Sequence, residues 1–269
     1  RNHRQITWLL SGLAEQNIPF YVKDHMSNLY MHFVMQDIVS YLRLCSPMLH
    51  RRDLFRVMNR PNRYLQRASV TKEWVTFSAW KSYYEKQPQM QQKIEALERD
   101  LSFLKTLSGK AAVTFICKRL GYENYLLKEA KNKEQYEEWK AIKDLFLDAV
   151  QDTTSIGQML LQWEEKRDFV ERINREKVND KTGKVGLYTL HGSKGLEFDT
   201  VIILDCNESI LPTKKATTSA AVEEERRLFY VGMTRAKKRL YLLYVHSYED
   251  KKMHPSRFLE EMQKVQKRH

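Results

Sequence analysis

Two short runs, Val185-Gly186-Leu187-Tyr188-Thr189-Leu190 and Thr200-Val201-Ile202-Ile203-Leu204, flank a polar loop that contains glycine. Both are apolar and rich in branched residues, with little alternation, which is the texture of strands covered on both faces. The next segments keep the pattern going. Residues 222–234 read as a helix with Glu223, Glu224 and Glu225 in its first turn, where the macrodipole favours acids. Residues 239–245 read as another strand, and Pro255 opens a last helix at the position a proline tolerates. Strand, loop, strand, helix, strand, helix is the order of an α/β sheet.

The opening of the chain has related texture. Residues 3–16 fit a helix closed by Asn17-Ile18-Pro19, since proline cannot continue one and restricts the residue before it. Phe20-Tyr21-Val22 reads as a short strand, and residues 28–45 as a second helix with Leu29, Phe33, Ile38, Tyr41 and Leu42 on its apolar side. Between the ends, residues 83–180 alternate charge sign, with apolar stripes at helical spacing: Ile94, Leu97, Leu101 and Leu104, then Trp139, Ile142, Phe146 and Val150. The expected organisation is one α/β domain built from residues 1–82 and 181–269, with an all-helical insertion at 83–180.

At 269 residues, 42% hydrophobic and 30% charged, the chain can bury enough apolar surface to fold, which excludes general disorder. Nine glycines and six prolines exclude collagen-like or low-complexity sequence. Cys45, Cys117 and Cys206 match no zinc spacing and make no disulfide framework. No apolar run approaches the roughly 20 residues of a membrane span, so a reducing cytoplasmic setting without a membrane partner is expected. The chain starts without methionine, in mid-pattern, and reads as part of something longer. Its net charge is +12, and the excess sits at the ends: residues 1–82 carry 12 basic and 5 acidic side chains, 83–180 carry 17 and 18, and 181–269 carry 17 and 11. A nucleic-acid partner and a merely soluble basic surface are both compatible with that.

Two segments carry candidate chemistry. In residues 189–198, Gly192 and Gly195 permit a tight turn, while Thr189, His191, Lys194 and Glu197 supply a hydroxyl, an imidazole, an ammonium and a carboxylate. Such a loop can hold phosphates or can be a plain turn. No G-x-x-x-x-G-K-[ST] pattern occurs in these residues. In residues 223–236, Leu228, Val231 and Arg235 recur at helical spacing, so an arginine emerges beside Gly232 at the end of a half-buried helix. Its planar donor fork suits phosphoryl oxygens, although a helix-end charge or a surface ion pair would look the same. Arg226 and Arg227 read as internal partners of the preceding glutamates. Trp74, Trp80, Tyr83 and Tyr84 read as packing residues or base-stacking candidates.

Residues 187–198 resemble motif V, and residues 223–236 motif VI, of the UvrD/Rep/PcrA-like superfamily 1 DNA helicases. Arg1, Asn2 and Gln5 followed by Ile18-Pro19-Phe20 resemble motif IV. Asp37 with Tyr41-Leu42-Arg43, and Asn59-Arg60-Pro61-Asn62-Arg63, resemble the helix and loop that come after motif IV in the same lobe. The chain departs from the family pattern at Ile6-Thr7, Leu10 and Ser193. The resemblance implies the second RecA-like motor lobe, a P-loop-NTPase-type parallel sheet, with a helical insertion. It also implies ATP as nucleotide, with Arg1 and Arg235 at the γ-phosphate and Glu197 on the ribose. Thr189, His191, Lys194 and Arg63 would touch DNA. The implied partners are single-stranded DNA, duplex junctions and an N-terminal RecA-like lobe carrying the Mg²⁺ ligands, so that residues 1–269 alone would not hydrolyse ATP. A non-catalytic DNA-binding or docking module derived from a helicase, and the motor of an AddA/RecB-like helicase-nuclease, are the alternatives.

Overall fold

A computed structural model describes residues 3–23, 25–150, 152–175, 181–248 and 251–266. The chain forms two compact units, one from Leu13–His25 with Val178–His269, the other from Asn2–Gly12 with Met26–Lys177. The architecture is mixed α/β with small parallel sheets.

In the first unit, the strand Phe20–Val22 pairs in parallel with Val185–Leu187, Tyr21 lying opposite Gly186. Phe198–Ile203 pairs in parallel with Ala236–Leu242, and the helix Ser219–Met233 makes the crossover between them. Among the described residues the strands form separate two-stranded pairs rather than one continuous sheet. The core gathers Ile203, Cys206, Leu211, Phe229, Phe258 and Leu259, with Phe229 and Phe258 stacked at 5.8 Å between ring centroids. The last helix, Arg257–Gln266, begins after Pro255 rather than at it, because Pro255 bridges to Asn207. Asn207, fully buried, bonds through Nδ2 to the carbonyls of Val245 and His254 and through Oδ1 to the Val245 amide, so one amide side chain closes three chain segments.

The second unit is mainly helical. Ile94, Leu97, Leu101 and Leu104 of the Pro88–Leu104 helix are all buried, as the stripe requires, and so are Ile142, Phe146 and Val150 of Lys133–Val150. Trp139 meets Phe33 edge-on at 4.9 Å. The described elements within residues 83–180 are all helices, and the strands of this unit, Leu49–His50 paired antiparallel with Trp74–Val75, come before them. The unit's extent differs from the division that charge texture suggests, because residues 26–82 fall with the helices. The reason is packing. Trp163 Nε1 donates to the Tyr30 carbonyl at 3.2 Å, Arg43 pairs with Glu164 at 2.9 Å, and the Tyr122 hydroxyl donates to Asp37 at 2.8 Å. Asp37 is fully buried and takes two bonds from Arg60 Nη1, at 2.7 and 2.8 Å. Burial pushes its pKa up while those donors pull against it. Among the described residues no helix is long and apolar enough to cross a membrane.

Candidate nucleotide- and DNA-facing loops

The chain between Val185–Leu187 and Phe198–Ile203 is closed by its own hydrogen bonds. The Thr189 carbonyl accepts from the Ser193 amide at 3.0 Å, and Thr189 Oγ1 accepts from the Gly192 amide at 2.9 Å. The His191 carbonyl then accepts from Lys194, and that of Ser193 from Leu196. Gly195 sits at φ +78°, a left-handed conformation that glycine adopts without strain. Ser193 is buried, and its hydroxyl is satisfied by the Leu190 carbonyl at 2.7 Å, so its departure from the family pattern leaves no unpaired polar group. His191, Lys194 and Glu197 are exposed, and Thr189 is half-buried.

The Ser219–Met233 helix is capped by Thr218, whose Oγ1 accepts from the Ala221 amide. It starts earlier than its apolar period suggests, which leaves no acid in its first turn. Leu228, Phe229 and Gly232 form its buried face. A Cβ on Gly232 would lie 2.5 Å from Leu190 Cδ2 and 3.3 Å from Ile203 Cδ1, so helix, loop and strand meet there without room for a methyl group.

Just beyond the helix, Arg235 is fixed from several sides. Nε donates to the Val231 carbonyl at 2.9 Å, Nη1 to the Leu196 carbonyl at 3.0 Å and Nη2 to Thr234 Oγ1 at 2.9 Å. Its own carbonyl accepts from the Phe198 amide at 2.8 Å. Glu197 is therefore held between two bonds to Arg235, and the structure brings these two expected nucleotide ligands together. The Glu197 carboxylate is 62% exposed and lies 3.0 Å from Lys237 Nζ. That ammonium holds its pKa below the ordinary value of 4.5, with a smaller contribution from Arg235. Lys238 pairs with Asp199 at 2.9 Å. A register shift between Phe198 and Thr200 is what lets two consecutive lysines face two acids.

Sequence reasoning missed the other supports of this loop. Lys23 Nζ donates to the Gly192 carbonyl at 3.0 Å, and the Tyr21 and Tyr188 hydroxyls share a 2.6 Å bond. The Tyr21–Gly186 register makes that bond possible, since a Cβ at 186 would lie 2.6 Å from the Tyr188 ring. The strand pairing alone could have revealed it. Arg1, the other expected arginine, lies outside the described residues. Arg63 belongs to the helical unit, and its Nη1 donates to the Val57, Met58 and Pro61 carbonyls, which ties it into its own loop. Arg226 pairs with Glu223 and Glu261, and Arg227 with Glu224. Trp80 and Tyr84 are core residues, whereas Trp74 and Tyr83 are exposed.

The sequence pattern described as UvrD-like helicase C-terminal domain matches residues 1–247, which include both loops. The chain belongs to that family. Among relatives of this UvrD-like chain, the ATP-dependent DNA helicase Rep of Buchnera aphidicola subsp. Acyrthosiphon pisum (strain APS) is 27% identical over 285 residues, covering 97% of this chain and 44% of Rep. The ATP-dependent DNA helicase Rep of Escherichia coli (strain K12) is 28% identical over 251 residues, covering 85% and 37% respectively. DNA helicase II of Rickettsia typhi (strain ATCC VR-144 / Wilmington) is 27% identical, covering 87% and 38%. The UvrD-like chain thus spans less than half the length of these relatives. Its last helix, Arg257–Gln266, lies beyond the family match.

Proposed function

We propose that this chain is the C-terminal motor part of an ATP-dependent superfamily 1 DNA helicase. In this reading residues 1–82 and 181–269 build the RecA-like lobe, and residues 83–180 are a helical insertion. The full protein couples ATP hydrolysis to movement along single-stranded DNA, 3′ to 5′, and to unwinding at duplex junctions. The single observation that carries the proposal is the joint made by Arg235, which bonds on both sides of Glu197 while Gly232 seats the same helix end against Leu190 of the loop.

The donor set fits a nucleotide. An exposed carboxylate, ionised at neutral pH and paired with Lys237, can accept hydrogen bonds from ribose hydroxyls, the part proposed for Glu197. Arg235 is a permanent cation of fixed orientation, suited to phosphoryl oxygens that gain charge as the γ-phosphate separates. Arg1 is proposed as its companion. Among the described residues no group of three His, Cys, Asp or Glu side chains can hold a metal ion. The Mg²⁺ that neutralises the phosphates is assigned to the N-terminal RecA-like lobe, and residues 1–269 by themselves are expected not to hydrolyse ATP. Thr189, His191 and Lys194 would hold DNA backbone phosphates without reading bases. Arg63, whose Nη1 is tied to its own loop, is proposed as a further contact to the DNA backbone. Because the DNA-facing and nucleotide-facing residues share one loop, a displacement at Glu197 is transmitted to Thr189 through the hydrogen-bonded turns of residues 189–196.

In the full-length protein, Arg235→Ala should lower DNA-stimulated ATP hydrolysis by about a thousandfold, the lower end of what an arginine at the γ-phosphate contributes, with DNA affinity nearly unchanged. Turnover equal to wild type would remove Arg235 from the reaction and the proposal with it.

A further inference from the structure

The helical unit carries a second candidate surface, unrelated to the loop around Glu197. Trp74 is 51% exposed, which leaves half of a large aromatic side chain in water. Its position is fixed. The His50 ring stands nearly perpendicular to it, at 81° and 4.7 Å. His50 in turn accepts from the Arg52 amide through Nδ1 at 3.1 Å, and its Nε2 lies 3.4 Å from Glu73. His50 and Trp74 face each other across the Leu49–His50 and Trp74–Val75 strand pair, so Arg51 and Arg52, which follow His50, and Lys72, which precedes Trp74, belong to the same corner of the unit; all three are exposed, and so is Arg67. Arg51 and Arg67 both lie over the Phe55 ring, at 6.0 and 5.5 Å, and Arg51 Nη1 donates to the Thr71 carbonyl.

Among the described residues, none of these four cations pairs with a carboxylate. Cations elsewhere on this unit do pair, as Lys81 with Glu98, Arg43 with Glu164 and Lys118 with Glu123. Nor do the charges at 51 and 52 support their own helix, because they stand in the first turn of Arg51–Val57, where the macrodipole opposes cations. Unpaired cations grouped beside a held aromatic ring form a surface that matches a flexible polyanion with π-faces. Phosphates meet the guanidinium groups, and an unstacked base covers the indole.

We propose that this face is a binding site for single-stranded nucleic acid, with Trp74 stacking one base and Arg51, Arg52 and Arg67 holding the phosphates beside it. Because the indole and the Arg51 and Arg67 side chains are held before the ligand arrives, less ordering opposes binding. Duplex is disfavoured, since its bases are already stacked and offer the indole no face.

The test uses the whole chain and a fluorescently labelled oligo(dT) of roughly 15 nucleotides. Trp74→Ala should weaken binding about tenfold, with Trp74→Phe restoring most of it. Arg52→Gln should weaken binding and flatten the dependence of log affinity on log salt by about 0.7, the value of one phosphate contact on a single strand. Both side chains are exposed, and melting curves check that the fold is intact. Wild-type affinity in Trp74→Ala and Arg52→Gln would overturn the proposal. So would equal competition by a polyglutamate peptide, which offers charge without bases. His191→Ala separates this inference from the proposed motor: loss there with no loss at Trp74 leaves the motor reading standing and removes this one.

Discussion

Gly232 shows how much a single hydrogen can decide. In an exposed helix, Gly→Ala gains about 1 kcal/mol from backbone entropy. Here the added methyl would press on Leu190 at 2.5 Å and Ile203 at 3.3 Å, and overpacking of that kind costs about 1–3 kcal/mol. The second effect is the larger, so Gly232→Ala should lower stability by up to about 2 kcal/mol. The pressed atom is Cδ2 of Leu190, a residue that lies between Thr189 and His191. DNA affinity should therefore fall by more than the stability loss explains, and titration of labelled oligo(dT) well below the melting temperature reads that directly. Unchanged affinity would mean the loop is indifferent to Leu190. The sequence shows Gly232 but not its neighbour: a glycine inside a helix signals close approach, and the group that approaches is set by a strand crossover that local pattern does not encode. Asn207 is illegible for the same reason, since an amide in a loop looks solvated until three chain segments close around it.

Elements are legible where period and punctuation agree. The helix His3–Glu15 ends where Asn17, at φ +52°, and Pro19 stop it, and Phe20–Val22 is a strand. The pattern misleads where one side chain competes with the backbone. Residues 28–45 read as a single helix, but His32 is extended and its Nδ1 accepts from the Val34 amide at 3.3 Å. That cap splits the segment into a 3-10 turn, Leu29–Met31, and the helix Phe33–Arg43. A capping imidazole must be neutral. Burial lowers the His32 pKa from 6.5, against the raising influence of Glu138 and Asp37. The unfolded chain then takes up this proton more readily than the folded one, so the contribution to stability is full above about pH 6.5 and is lost as pH falls below it. His32→Asn keeps an acceptor at the cap and removes the proton site. Its melting temperature should decline less than that of the wild type between pH 7 and about pH 5; parallel declines would show that the cap does not titrate.

At the scale of the molecule, charge texture and packing divide the chain differently. A helix such as Phe33–Arg43 has the composition of either unit, and its assignment rests on contacts roughly a hundred residues away, Asp37 with Tyr122 and Arg43 with Glu164. Each unit has its own core, around Phe229 and Phe258 in one and around residues such as Leu101 and Trp80 in the other. The distribution of tryptophan makes the division measurable. Trp8, Trp74, Trp80, Trp139 and Trp163 all belong to the unit of Asn2–Gly12 and Met26–Lys177, and the other unit has none. Tryptophan fluorescence therefore follows one unit, while calorimetry follows both. Phe229→Ala removes a buried ring at a cost of about 3–5 kcal/mol, and Leu101→Ala costs about 2–5 kcal/mol. If the units unfold separately, Phe229→Ala should lower part of the calorimetric transition by on the order of 10 °C and leave the fluorescence midpoint where it was. Leu101→Ala should move the fluorescence midpoint and leave the other part of the transition in place. A single transition shifted equally by both substitutions in both measurements would show one cooperative body, in which the loop around Glu197 and the face around Trp74 stand or melt together.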